Sequence, residues 1–254
     1  MKIDLNCDVG ESFGRYTLGS DAELMPLISS ANIACGFHAG DPVVMRKTVQ
    51  LAVAHGVGIG AHPGFPDLVG FGRRNLSLSS EELRNTMIYQ IGALMGFARV
   101  FGITLQHVKL HGAMYNLAAN DENMGAIIVD ALLEIDERLI LFGLVGSTLL
   151  KIARAAGLKA AREAFADRAY TEDSSLVSRQ VPGAVITDSA HIAERVLKMA
   201  TEKKVTTITG TEIDLEPDTI CVHGDTSGAV EHLKHITAAL NREGIEIVPV
   251  GSFL

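Results

Sequence analysis

Short apolar runs alternate along the chain with amphipathic stretches of about 15 residues, a strand-then-helix rhythm. In residues 2–7 the apolar side chains of Ile3, Leu5 and Cys7 alternate with polar ones, the period-2 pattern of a strand with two unlike faces. Further runs of strand length lie at residues 31–34, 57–62, 104–111, 140–145, 158–163 and 219–223, with 246–250 as a candidate eighth. Because strands separated by helices run parallel, this pattern predicts an α/β fold, and seven or eight such units favour a closed (β/α) barrel over an open parallel sheet.

Capping residues mark the ends of the predicted helices. Asp41 is a candidate N-cap with Pro42 in the first helical position, and Gly56 follows the last turn. Ser79 and Glu82 form a candidate capping box at the start of a long helix. The remaining helices are expected over residues 120–134, 147–156, 188–203 and 227–243.

Residues 205–215 break this rhythm, because they contain two β-like runs around Gly210 and Thr211. Glycine at the first of two loop residues is typical of a type II′ turn, so we expect a small hairpin insertion outside the barrel. The chain contains no proline-rich linker, charge block or internal repeat. These observations favour a single barrel domain over residues 1–254.

Length, charge and cysteine content narrow the function classes. The chain has 254 residues, close to the size of one (β/α) barrel, which is about 250 residues. A net charge of −8 disfavours nucleic acid and anionic membrane as partners, and the longest apolar stretch, residues 139–150, is too short to span a bilayer. The acidic N-terminus lacks an apolar signal region, and three cysteines without CxxC spacing argue against a disulfide framework. We therefore expect a cytoplasmic protein that acts on a small molecule.

Polar side chains follow the apolar strands, and a parallel barrel gathers the carboxyl ends of its strands at one mouth. The residues expected at this mouth are Asn6, Asp8, His38, His62, Lys109, His111, Glu163, Asp167, Arg168, His223 and Asp225. Imidazoles, carboxylates and a lysine together can transfer protons or bind a metal. His107 lies at the buried start of its strand and is assigned a core role.

Two further features of the mouth have alternative interpretations. Arg73 and Arg74 end the long loop after the third strand, where they either hold a substrate carboxylate or phosphate bidentately or form a solvated turn. His111 shares a strand face with Lys109, whose ammonium would lower the imidazole pKa and keep a neutral base near pH 7. In the alternative, Lys109 pairs with Glu163 or Asp225 and His111 only caps that network.

Six blocks at these strand ends resemble the LamB/YcsF family. They are DLNCDVGESFG, SANIACGFHAGDP, GAHPGFPDLVGFGRR, VKLHGAMYN, EAFADRAY and ICVHGD. The resemblance implies a distorted TIM-like barrel of the glycoside hydrolase/deacetylase group. It also implies ATP-dependent cleavage of 5-oxo-L-proline to L-glutamate, with ATP as co-substrate, in a complex with B and C subunits. The chain lacks the phosphate loop GxxxxGK[ST], which fits a protein that shares nucleotide handling with partners.

The resemblance and the residues together give two sets of candidate residues. The catalytic set is His111, Lys109, Asp8, His38, His62, His223 and Asp225. The substrate-binding set is Asn6, Arg73, Arg74, Glu163, Asp167 and Arg168. This chain departs from the usual family pattern at Leu110, where proline is common, and at the pair Ser174 and Ser175, where Asp-Gly is common.

Two alternative functions stay open from the sequence. The first is a metal-dependent, deacetylase-like hydrolase with His38, His62 and Asp8 as ligands of a divalent metal. The second is a non-catalytic scaffold subunit that binds substrate for its partners. A homo-oligomer is compatible with any of these functions.

Overall fold

A computed structural model describes residues 1–224, 226 and 228–254. The strands in chain order are β1 (Lys2–Val9), β2 (Ser30–Ala34), β3 (Gly58–His62), β4 (His107–Lys109), β5 (Ile140–Leu144), β6 (Ala160–Phe165), β7 (Lys204–Thr206), β8 (Glu212–Asp214), β9 (Thr219–Val222) and β10 (Glu246–Ile247). The helices are α1 (Asp21–Leu24), α2 (Pro42–His55), α3 (Ser80–Val100), α4 (Gly112–Ala118), α5 (Glu122–Ile135), α6 (Thr148–Ala155), α7 (Ser189–Thr201) and α8 (Ala229–Arg242). Two 3₁₀ turns cover Met25–Leu27 and Val250–Ser252.

Seven parallel strands form the barrel. They follow the order β1-β2-β3-β4-β5-β6-β9, and the ring closes because β9 pairs with both β6 and β1. The candidate eighth strand, β10, pairs only with the first residues of β1, where Lys2 faces Glu246, and lies outside the ring. The predicted parallel barrel is therefore confirmed, with seven strands.

The predicted helix ends are confirmed where a side chain caps the backbone. The Asp41 carboxylate accepts hydrogen bonds from the backbone N–H groups at the start of α2, and Gly56 ends that helix with φ of 67°. Ser79 and Glu82 form the expected capping box at the start of α3. Local hydrogen-bonding chemistry alone determines these boundaries.

The segment around β4 differs from the prediction. Residues 104–111 are expected to be one strand, but β4 covers only His107–Lys109 and α4 begins at Gly112. Gly112 has φ of +52°, and a Cβ there would lie 2.7 Å from the Gly72 carbonyl oxygen. A close contact with the loop after β3 therefore turns the chain into a helix that the apolar pattern does not reveal.

The hairpin insertion is confirmed, but the predicted two-residue turn is wrong. β7 and β8 pair antiparallel, with Thr206 opposite Glu212, so the loop spans 207–211. The Thr207 N–H donates to the Thr211 carbonyl, and the Thr211 N–H donates to the Thr207 hydroxyl. A threonine hydroxyl thus helps to close a wider loop, in which Gly210 takes a positive φ.

The barrel interior is polar in its middle, while its outer surface packs on the helices. Ile3, Leu5 and Cys7 face the main hydrophobic core, and the alternating Asp4 and Asn6 are buried with polar partners. At the opposite end from the mouth, the C-terminal segment covers the barrel. Its cluster contains Val250, Phe253 and Leu254 against Ile140, Phe142 and Ala161.

His107 has the core role assigned to it. Its ring stacks on Phe142 with centroids 4.1 Å apart, and its Nε2 lies 2.7 Å from Asn32 Oδ1.

Among the helices of the described residues, none combines the length and apolarity needed to cross a bilayer.

Candidate active site

A cavity of about 560 Å³ opens at the carboxyl ends of the barrel strands. Strand-end side chains form its floor, and loop residues form its walls. Its lining includes Asp8, Lys109, His223, Arg73, Arg168 and Arg179. The structure thus brings together side chains that lie far apart in the sequence, as strand-end convergence predicts. Asp225 lies outside the described residues.

Lys109 is the buried cation at the floor of this cavity. Its Nζ lies 2.7 Å from Asp8 Oδ1, 3.2 Å from Glu163 Oε1 and 3.0 Å from Cys221 Sγ. Burial disfavours the ammonium, but the adjacent Asp8 carboxylate reverses this and holds the pKa of Lys109 well above its usual value. A charged ammonium is therefore available to stabilise negative charge that develops in the cavity.

Amides fix the two carboxylates that flank this lysine. Asn6 Nδ2 donates to Glu163 Oε1 at 3.0 Å, and Asn32 Nδ2 donates to Asp8 Oδ1 at 2.8 Å. Burial disfavours the charge of Asp8, yet the neighbouring His62 and Lys109 hold its pKa well below the usual range. The pairing of Lys109 with Glu163 matches the alternative left open by the sequence.

His223 and Asp167 form a second pair on the cavity wall. His223 Nδ1 lies 2.8 Å from Asp167 Oδ1, and the His223 ring stacks on Phe165 at 5.3 Å. Burial opposes the charge of Asp167, but His223 lowers the pKa of this carboxyl below its usual value. A carboxylate at Nδ1 fixes the tautomer, so His223 Nε2 is the nitrogen left to exchange a proton.

His38, His62 and His111 lie together at the edge of the floor, beside Glu11. Burial, reinforced by His62, holds the pKa of His111 well below its usual value. The expected lowering is confirmed in direction, but burial and His62 are its largest causes rather than Lys109. His111 uses both ring nitrogens, one toward His62 and one toward the Phe71 carbonyl. The proposed role of His111 in proton transfer stays a prediction.

Three guanidinium groups line the cavity wall. Arg168 is buried and donates from Nη2 to the Val177 carbonyl, while its Nε has no hydrogen-bond partner among the described residues. Burial lowers the pKa of Arg168, and Arg179 lowers it further. Arg73 lies over the Phe71 ring, 4.8 Å from its centroid. This concentration of positive charge favours an anionic ligand group.

Arg74 does not line this cavity. It pairs with Asp67, whose carboxylate also accepts from the Gly70 N–H, and the Arg74 side chain is 63% exposed. The arrangement puts Arg74 in a solvated turn and leaves Arg73 as the arginine of that pair at the mouth.

The site contains residues that the sequence interpretation does not select, among them Glu11, Arg179, Asn32 and Cys221. Glu11 follows Asp8 within the first family-like block, and its place in that block was an available signal. Arg179 follows a turn in which Ser174 takes φ of +67°, the region that favours glycine. In this turn Ser174 and Ser175 occupy the positions where Asp-Gly is common in the family. The other departure, Leu110, is fully buried.

Comparisons with known proteins agree with this architecture. The LamB/YcsF family model matches residues 3–254. A protein of Pyrococcus furiosus, named as the A subunit of 5-oxoprolinase, is 53% identical over 254 residues and covers 100% of both chains. One of Clostridium beijerinckii with the same name is 56% identical over 249 residues, with 98% of each chain covered.

Solved structures share the barrel. A lactam utilization protein from Thermus thermophilus superposes with a TM-score of 0.93 at 46% identity, covering 98% of this chain and 99% of that one. A family 4 carbohydrate esterase from Streptomyces lividans superposes with a TM-score of 0.51 at 10% identity, covering 97% and 91%. The second likeness concerns the fold alone.

Proposed function

The chain belongs to the LamB/YcsF family, and we propose that it is the A subunit of an ATP-dependent 5-oxoprolinase. The reaction opens the lactam of 5-oxo-L-proline to L-glutamate and hydrolyses ATP to ADP and phosphate. One observation carries the proposal. A single cavity joins a buried ammonium, Lys109, to a carboxylate-held imidazole, His223, and to a wall of guanidinium groups.

The substrate carries one carboxylate, and the arginine wall is suited to it. We place that carboxylate against Arg179 and Arg73, where guanidinium donors can bind it bidentately. Arg168 lines the same wall and adds to its positive charge, and its bond to the Val177 carbonyl holds the guanidinium in place. The substrate-binding part of the site is therefore the wall built by the loops after β3 and β6.

The lactam carbonyl is placed over Lys109. An unstrained five-membered lactam is a resonance-stabilised amide, so it needs activation before water attacks it. Transfer of a phosphoryl group from ATP to the amide oxygen makes the carbon electrophilic and provides a leaving group. Water then attacks the carbon, and His223, oriented by Asp167, takes a proton from that water. Lys109 stabilises the negative charge on the oxygens of the tetrahedral intermediate. Ring opening breaks the C–N bond as His223 returns that proton to the ring nitrogen, which becomes the amine and leaves an acyl phosphate. A second water then hydrolyses the acyl phosphate to the glutamate carboxylate and phosphate.

We assign nucleotide handling mainly to the partner B and C subunits, because this chain has no phosphate loop. The relatives are named as the A subunit of an enzyme, which supports a multi-subunit complex. A cytoplasmic location is part of the proposal, since Cys7, Cys35 and Cys221 are free and buried, as thiols are in a reducing compartment.

The test is 5-oxoproline-dependent ATP hydrolysis, measured for this chain alone and after mixing with B and C subunits. We expect little activity from the isolated chain and coupled release of glutamate and phosphate from the mixture. Robust turnover by the isolated chain would contradict the division of labour. A correctly assembled mixture that hydrolyses no 5-oxoproline would contradict the function itself.

A further inference from the structure

Four buried side chains beside the Lys109–Asp8–Glu163 cluster bring possible metal-ligand atoms close together. Glu11, His38, His62 and His111 each offer one ligand atom, and these atoms all lie within 4.8 Å of one another. They come from three loops and one strand end, at the carboxyl ends of β1, β2, β3 and β4. None of the steps proposed above uses them.

Backbone carbonyls determine the tautomers of two of these rings. His62 Nδ1 lies 2.8 Å from the Lys109 carbonyl, and His111 Nε2 lies 2.8 Å from the Phe71 carbonyl. A carbonyl only accepts, so both of these nitrogens carry the proton. With those nitrogens protonated, His62 Nε2 and His111 Nδ1 are the nitrogens left as ligand atoms, and they face each other at 3.0 Å. Two acceptors this close repel unless a cation lies between or beside them.

His38 is a third imidazole whose ring nitrogens lack a hydrogen-bond partner among the described residues. Its ring stacks on His111 with centroids 3.7 Å apart and planes 3° apart. It is fully buried. The carboxylate oxygen Glu11 Oε1 lies 3.6 Å from His38 Nε2. A buried ring without hydrogen bonds loses its hydration with no compensation.

We propose that Glu11, His38, His62 and His111 bind one divalent transition-metal ion of the zinc class. Three imidazole nitrogens and one carboxylate oxygen are ligands that such ions prefer. Metal-ligating histidines usually donate their second N–H to a carbonyl or carboxylate, as His62 and His111 do here. The inference rests on these four side chains and is independent of the proposed reaction.

This ligand set differs from the one that the sequence suggests. Asp8 is expected beside His38 and His62, but its Oδ1 already accepts from Lys109 and Asn32. Its Oδ2 lies 3.3 Å from His62 Nε2 and is not among the four grouped ligand atoms. Glu11 supplies the carboxylate instead.

The experiment uses the full-length chain without an affinity tag, stripped of metal and titrated with Zn²⁺ and, separately, Co²⁺. We expect one ion per chain by calorimetry and elemental analysis, and visible Co²⁺ absorption bands of a low-symmetry nitrogen–oxygen site. Glu11→Gln keeps the side-chain volume and removes the charge, and His38→Asn removes the imidazole. Each should weaken binding by at least about 100-fold, since even outer-shell changes cost about 10–100-fold.

His232→Asn is the matched control, because His232 is also a buried imidazole but bonds to Ser189 Oγ, apart from the four ligands. It should bind both ions as the unmodified chain does. Failure of the unmodified chain to bind a stoichiometric ion overturns the proposal, and so does binding that survives Glu11→Gln and His38→Asn. Circular dichroism reports whether each variant folds, and Glu11→Gln decides alone if His38→Asn does not.

Discussion

Lys109 shows how single residues set the chemistry of the mouth. Its ammonium is balanced by Asp8 and Glu163 on the floor of the cavity, while guanidinium groups are concentrated on the wall. The floor is therefore suited to a developing negative charge, and the wall to a permanent one. Proton transfer falls to His223, whose Nδ1 is occupied by Asp167.

The first prediction concerns His223. In the reconstituted complex, His223→Asn should fold and assemble but lose about 10²-fold or more in kcat, the usual scale of general acid–base catalysis. Its KM for 5-oxoproline should change little, because the arginine wall remains. Steady-state glutamate release checks both values. Near-normal turnover would show that His223 is structural and would make His111 the leading candidate for proton transfer.

The second prediction concerns the substrate carboxylate. Arg179→Ala should raise the KM for 5-oxoproline about tenfold with little change in kcat, because a charge-assisted hydrogen bond contributes about 1.5–3 kcal/mol and exposure weakens it. The exposed Arg138, which pairs with Asp136, is a matched control, and Arg138→Ala should leave the KM unchanged. Equal KM values for the two variants would remove Arg179 from the site.

The third prediction concerns pH and Asp4. Burial raises the pKa of Asp4 to about 6, although hydrogen bonds from Thr219, Ser29 and Ser30 oppose the shift. The folded chain then holds a proton that the unfolded chain has released, so this group destabilises the fold as pH rises from about 4 through 6. Above pH 6 the loss of unfolding free energy caused by ionised Asp4 is constant, at most about 3 kcal/mol.

Asp4→Asn removes this titration while keeping an oxygen for the serine hydroxyls. Relative to the unmodified chain, the variant should gain about 1–3 kcal/mol of unfolding free energy between pH 4 and pH 7. Urea denaturation at the two pH values measures the difference. A stability difference that is the same at both values would contradict a raised pKa.

At the scale of elements, the junction of β4 and α4 holds the loop after β3 in place. The Ala113 N–H donates to the Gly72 carbonyl, and the His111 N–H donates to the Pro63 carbonyl. These bonds bring Arg73 and His111 to the same side of the mouth. The short β4 and the early helix are therefore needed to assemble the site.

The fourth prediction tests that junction. Gly112→Ala should destabilise the fold by about 1–3 kcal/mol, because it combines a positive φ with a Cβ only 2.7 Å from the Gly72 oxygen. Gly56→Ala is the control, since Gly56 also has a positive φ but a Cβ added there would meet nothing within 4 Å. Its cost should be about 1 kcal/mol, the smaller of the two. Thermal unfolding compares them, and equal losses would show that the contact with Gly72 is unimportant.

At the scale of the whole molecule, closure of the barrel joins the two ends of the chain. Asn6 Nδ2 donates to Thr219 Oγ1 at 2.7 Å across 213 residues of sequence, and β9 completes the ring beside β1. The polar interior depends on this closure, because Asn6 and Asp4 find partners on the last barrel strand. The C-terminal segment then covers the far end through Val250 and its neighbours.

Elements with local signals could be predicted before any contact was known. Period-2 alternation located β1, and the caps at Asp41 and Ser79 located two helices, because such hydrogen bonds join residues a few positions apart. Parallel order then predicted the barrel, and strand ends predicted where polar side chains would gather. These inferences need no knowledge of which residues meet in space.

The partners of each site residue, in contrast, became clear only from the folded chain. Asp67 pairs with Arg74, which does not line the cavity, and the Gly72 carbonyl accepts from the Ala113 N–H in the first turn of α4, directly after the predicted strand. The tautomers of His62 and His111 depend on carbonyls at Lys109 and Phe71. Most of these contacts join groups from separate segments, and their distance and direction exist only once the barrel has closed.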